Sequence, residues 1–154
     1  MTWPVLVFDI ESIPDVPGLR LLRGAPADQT DAQVHEAWVQ ERKANGQSDF
    51  LPHHLQRVLV ISCVFRSGEG LRVHSFVDRD GASEGRIVQS FFNSIEKHVP
   101  QLVSWNGGGF DLPVLHYRGL GTASWPTNTG TSARTSASSS GTTTSAAITF
   151  ATST

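Results

Sequence analysis

Asp9 and Glu11 stand two residues apart at the end of the apolar run Val5-Leu6-Val7-Phe8. On an extended chain, residues i and i+2 point to the same side. The two carboxylates are therefore expected side by side. Close anions repel, and one of them keeps its proton unless a cation neutralises the pair. A divalent ion does this, and Mg²⁺ or Mn²⁺ prefers oxygen ligands. A second constellation, Trp105-Asn106-Gly107-Gly108-Gly109-Phe110-Asp111, sets an amide and a carboxylate around a glycine loop. Glycine lets a backbone or a ligand come close, and ligands of α/β sheets bind at the carboxyl ends of strands. Asp9, Glu11 and Asp111 would then converge on one edge of a sheet. Plainer readings exist for each part: a solvated acidic strand end, an N-cap at Asp111 and a core aromatic at Phe110.

The elements that must position these residues can be read from periodicity. Residues 5–8 read as a strand buried on both faces, bounded by Pro4 and Asp9. Residues 13–18, Ile-Pro-Asp-Val-Pro-Gly, read as turn material. Residues 31–44 carry Val34, Ala37 and Trp38 at helical spacing, with Thr30 or Asp31 as N-cap and Asn45-Gly46 as stop. A second buried strand is expected over residues 58–65, then a turn at 67–70 and a half-exposed strand over 71–77. Residues 83–98 place Ile87, Val88, Phe91, Phe92 and Ile95 on one helical face, with Ser83 as N-cap and Pro100 just beyond the end. A short strand at 101–105 leads into the glycine loop, and a helix starts at Asp111 with Pro113 in its first turn. The order strand, helix, hairpin, helix, strand, helix predicts an α/β protein with a mixed sheet. The 15–52 insertion reads as mostly loop with one helix, outside the sheet.

Composition narrows the function classes. Among 154 residues there is one cysteine, Cys63, so no disulfide framework is built. No apolar run approaches the length of a bilayer crossing. A net charge of −2 gives no broad attraction to polyanions. The start Met1-Thr2-Trp3-Pro4 lacks a basic leader segment, and with the lone thiol this points to the cytoplasm. His53-His54 reads as a surface or structural pair, since adjacent side chains diverge on an extended chain. Cys63 reads as a small core residue. Trp3, Trp38 and Trp105 read as packing rather than base-stacking residues, Trp105 being the one beside the candidate site. Asp78-Arg79-Asp80-Gly81 reads as a turn, not a calcium loop.

Two stretches carry a family resemblance. Val7-Phe8-Asp9-Ile10-Glu11 resembles the first motif of the DEDD 3′–5′ exonucleases, and Asn106-Gly107-Gly108-Gly109-Phe110-Asp111 resembles their second. Leu51-Pro52, with Arg57-Val58-Leu59-Val60-Ile61-Ser62 after it, is similar to the segment entering the second strand of one subgroup. That subgroup is the predicted exonucleases related to the proofreading domain of family-B DNA polymerases. The resemblance spans residues 3 to about 120. It implies a ribonuclease-H-like mixed sheet with flanking helices, lacking the C-terminal strand and helix. It also implies cleavage at nucleic-acid 3′ ends, DNA or RNA and single-stranded, with two Mg²⁺ or Mn²⁺ ions. Asp9 would bridge the ions, Glu11 would hold one and orient the water, and Asp111 would hold the other. Asn106, Phe110, Ile10 and Trp105 would meet the terminal nucleotide. A protein that grips only a strand end needs no large basic surface.

The family pattern has a third motif with a fourth carboxylate, but no Asp or Glu occurs after Asp111. From Gly121 onward, 19 of 34 residues are Ser or Thr, and Arg134 is the one charge. The expected division is thus a partial exonuclease domain at 1–120 and a disordered tail at 121–154. Read one base earlier, the codons of residues 142–154 admit Asn-Asn-Tyr-Ile-Ser-Arg-Tyr-His-Phe-Arg-His-Leu-Asp. That string resembles the segment after the second motif in the subgroup, so the tail reads as an out-of-frame product of a one-base shift near residues 119–125. Such a chain would be impaired or inactive. The competing expectations are a non-catalytic nucleic-acid-binding module of the same fold, and an unrelated phosphate-ester hydrolase using the same acids.

Overall fold

The computed structural model describes residues 3–77 and 83–121. The tail expected from 121 and the 78–81 turn therefore lie, but for Gly121, outside the described residues. Four strands form one mixed sheet in the order β3-β2-β1-β4. They are β1 (Val5–Pro14), β2 (Gln56–Ser67), β3 (Gly70–Val77) and β4 (Gln101–Val103). β1 pairs antiparallel with β2, β2 antiparallel with β3, and β1 parallel with β4. The helices are α1 (Val16–Arg23), α2 (Asp31–Ala44), α3 (Glu84–His98) and α4 (Leu112–Gly121). This is the α/β mixed sheet with flanking helices expected of a ribonuclease-H-like domain.

The sheet is covered on one side. Leu6, Phe8 and Ile10 of β1 and Val58, Ile61 and Cys63 of β2 turn inward. They pack on Ile87, Val88 and Phe91 of α3 and on Val114 and Leu115 of α4. Phe8 and Phe91 anchor this core, ring centroids 5.0 Å apart. The opposite face carries Val7, Asp9 and Glu11, all exposed. The expectation that β1 and β2 are buried on both faces is therefore corrected. An unbroken apolar run does not say how many faces are covered, and among the described residues the helices against the sheet share one side. On the open side Val103, Val7, Val64 and Val73 stand level across all four strands. Val7 is 43% exposed and Val73 80%.

β1 is also longer than its apolar run suggests. Its ladder with β2 continues through Asp9↔Ser62 and Glu11↔Val60 and, after a bulge between Glu11 and Ser12, reaches Pro14↔Gln56. Asp9 and Glu11 thus sit inside a strand rather than at its end. Against β4 the pairing runs only from Val5↔Gln101 to Val7↔Val103, so both acids lie beyond the carboxyl end of β4.

The insertion holds two helices, not one. Asp15 caps α1 by accepting from the Gly18 N–H at 3.1 Å, and a proline stands in the first turn. A Cβ at Gly18 would lie 2.7 Å from Asp15 Oδ2, so glycine is what lets this cap close. Pro17-Gly18 is therefore a helix start and not a turn. α2 begins with a capping box: Thr30 accepts from Gln33 N–H and Gln33 returns a bond to Thr30 N–H. Leu19, Val34, Trp38, Leu51 and Leu55 form a second, smaller core between these helices and the 3₁₀ turn His53–Leu55. α3 matches its periodicity, with Ser83 accepting from Arg86 N–H and Val99 ending it at a left-handed φ of 44°.

Candidate active site

The chain leaves β4 at Val103 and turns back on itself as a π turn, Gly107–Asp111, before α4. The Asn106 carbonyl accepts from the N–H groups of Gly109 (3.0 Å) and Phe110 (2.8 Å). A Cβ on Gly109 would collide with the Asn106 side chain, so this glycine is required for the close approach of the amide. The tight turn swings Asp111 inward, where it is only 3% exposed. Ser104 Oγ donates to Asp111 Oδ2 at 2.5 Å. Asp111 is thus more than the start of a helix, which sets in at Leu112.

Burial raises the Asp111 carboxyl above its ordinary range, the Ser104 bond pulls it back, and the charge of Asp9 pushes it up further. The structure so brings Asp9 and Asp111, 102 residues apart in sequence, within electrostatic reach at the carboxyl end of β4. Glu11 shares the exposed face with Asp9, two residues along β1. No three His, Cys, Asp or Glu side chains among the described residues are gathered into a ready metal-holding group. The site is therefore a coupled pair, Asp9 and Asp111, with Glu11 beside Asp9.

The donor chemistry nevertheless fits a hard divalent ion. The three groups offer carboxylate oxygens alone, and neither Asp9 nor Glu11 takes part in the ion pairs of the described residues. Opposite Asp9 on β2 stands Ser62, whose hydroxyl lies 3.2 Å from that of Ser75 on β3. The row beside Asp9 is thus small and polar, with no cation in it.

The remaining candidates separate. Trp105 is 83% exposed, so it is not a packing residue, and Trp3 is exposed as well. Only Trp38 of the three is buried, with Arg42 over its ring at 5.2 Å. Ile10 lies in the core between Asp9 and Glu11, and its backbone alone is left to meet a ligand. Phe110 is half-buried against the core and touches Phe50 and His53. His53 and His54 diverge, His54 lying against Tyr117.

Sequence reasoning missed one polar network close by. Arg118 on α4 donates to Glu84 Oε1 (2.7 Å), to Asp15 Oδ2 (2.6 Å) and to the His54 carbonyl (3.0 Å). Glu84 Oε1 also accepts from Val58 N–H at 2.7 Å. The partners lie 34, 103 and 64 residues from Arg118, so no local pattern could have signalled them. The network ties α4, which begins directly after Asp111, to the starts of α1, α3 and β2.

No helix among the described residues is long and apolar enough to cross a membrane. A protein-family model described as a predicted 3′–5′ exonuclease related to the exonuclease domain of PolB matches residues 48–128. That is more than half of the chain, and it takes in Phe50, the π turn with Asp111, and Arg118. Asp9 and Glu11 lie before the matched stretch. No curated protein matches the chain.

Proposed function

This chain belongs to the family of predicted 3′–5′ exonucleases related to the exonuclease domain of PolB, and from that premise we propose that Asp9, Glu11 and Asp111 form a hydrolytic site acting on nucleic-acid 3′ ends. The observation that carries the reading is the coupling of Asp9 to the buried Asp111 beside the π turn. A first-motif acid and a second-motif acid meet there, although they come from opposite ends of the domain. Asp9 and Glu11 would hold a divalent ion on the open face of β1, with Asp111 supporting a second. Bound Mg²⁺ or Mn²⁺ would supply a nucleophilic water at neutral pH and stabilise the departing oxyanion. Asn106 and Phe110 hold the wall of the site, and exposed Trp105 offers a face to a base.

The chain itself is proposed to be impaired. A carboxylate beyond Asp111 is missing from the sequence, and the tail from 121 is proposed to be an out-of-frame readout. Calorimetric titration with Mn²⁺ tests the site directly. The wild-type chain is expected to bind, and Asp9→Asn and Glu11→Gln to bind much less. Absence of Mn²⁺ binding by the wild type would instead favour a nucleic-acid-binding module without catalysis, the reading that the missing acid supports. Rapid, Asp9-dependent release of nucleotides from a labelled 3′ end would overturn the proposed impairment.

A further inference from the structure

Phe110 lies at the meeting point of two distant segments. Its ring is 5.5 Å from that of Phe50, tilted by 59°, and 5.8 Å from that of His53, at 65°. Beneath, Phe110 rests on the main core. Above it, Phe50 leaves 57% of its surface in water. Burial is what makes a phenylalanine worthwhile to the fold, so this ring is poorly placed for stability alone.

Its position is nonetheless held. Leu51, the next residue, is buried in the second core, and Leu55 closes the 3₁₀ turn from the same cluster. Phe50 N–H donates to Ser48 Oγ at 3.1 Å. An exposed ring fixed at its base, backed by a half-buried ring, is a preorganised flat surface. Phe110 is also the residue before Asp111, so this surface stands next to the coupled acids.

We propose that Phe50 and His53, with Phe110 behind them, form a stacking platform for the bases of a single-stranded 3′ end. Phe50 is the outer ring that a base covers, and His53 is the edge-on ring that keeps Phe110 facing it. The platform rests on the reading of Asp9 and Asp111 as an exonuclease site, and it specifies the substrate of that site. It favours an unpaired end, because a base inside a duplex has its faces already stacked. It is indifferent to sequence, because every base has a π-face.

The test is fluorescence anisotropy of a short 5′-labelled oligothymidylate with the full chain, in EDTA so that no strand is cut. Phe50→Ala is expected to weaken binding about 5- to 150-fold, the worth of one base–aromatic stack. Phe50→Trp is expected to keep wild-type binding. An oligonucleotide abasic at its 3′ terminus should bind the wild type less well, yet make little difference to Phe50→Ala. A purely structural Phe50 would not show that dependence on the terminal base. Equal binding by wild type and Phe50→Ala, or an undiminished response of the variant to the missing base, overturns the platform and leaves the exonuclease reading standing. Failure of the wild type to bind any single strand overturns that reading, and the platform with it.

Discussion

Arg118 and Glu84 meet side on, Nε to Oε1 at 2.7 Å and Nη2 to Oε2 at 2.5 Å. This fork closes α4 onto the first turn of α3 with both side chains nearly out of water. Desolvation pulls the guanidinium value down, but the bonds to Glu84 and Asp15 outweigh it and leave Arg118 raised. The acidic partners therefore depend on this cation more than surface acids depend on theirs.

Arg118→Leu is expected to destabilise the chain by about 2–4 kcal/mol, because Glu84 and Asp15 are left buried without a counter-charge. Arg118→Lys is expected to recover only part of this, since an ammonium cannot make the paired contact with Glu84. Urea unfolding measures both. A loss below about 1 kcal/mol for the leucine variant would mean that water reaches the two acids easily.

Cys63 gives an alkaline signature. Burial pushes its thiol up to about 11, against 9.0 for a free thiol. Between those values the unfolded chain has released the proton and the folded chain still holds it. The unfolded state then binds fewer protons, so stability falls as pH rises through this window. The stabilisation is complete below pH 9, and the loss approaches about 2–3 kcal/mol above pH 11. Cys63→Ala should be less stable at neutral pH, from the cavity it leaves, but should lose this extra slope. Equal slopes for the two proteins would show that the thiol is not protected. Thiol reagents at mildly alkaline pH should likewise react with Cys63 only on unfolding.

Val99 ends α3 in the left-handed region, φ 44°, although it is β-branched and exposed. For such a residue this conformation costs about 1–2 kcal/mol. Val99→Gly is expected to raise stability by about 1 kcal/mol, with the lost rigidity of the unfolded chain taking back part of the gain. Thermal unfolding reads the result, and a lower midpoint for the glycine variant would contradict the strain.

Local chemistry was legible where the signal is local. The Thr30–Gln33 capping box and the Ser83 cap announce α2 and α3 from their own residues. The acid pattern of Asp9 and Glu11 and the turn before Asp111 were legible too, because strand alternation and glycine spacing speak for themselves. The hidden features were those set by partners. β1 runs on through Glu11 to Pro14 because β2 offers a ladder there, despite the polar residues. α1 was masked by Pro17-Gly18, residues that serve a helix start as well as a turn. Trp105 has the composition of a core residue and the position of an exposed one. The Phe50–Phe110 contact joins residues 60 apart, and nothing near either of them points to the other.

The uncovered face of the sheet makes the last prediction. Val7, Val64 and Val73 stand in one row across β1, β2 and β3, on the side of Asp9 and away from the helices. Contiguous exposed apolar surface on an edge strand is a route to association between chains. β3 shows no lysine or proline along its length, and its one arginine, Arg72, is paired with Glu69 at 2.6 Å. Val73→Lys places a charge in the middle of that edge. Val73 is 80% exposed, so the change should alter stability by no more than about 0.5 kcal/mol. It should also lower the concentration-dependent light scattering of the purified chain. A scattering curve unchanged by the lysine would show that the valine row does not drive association. A loss of more than about 1 kcal/mol would show that Val73 is packed in solution, so that some part of the chain covers this face.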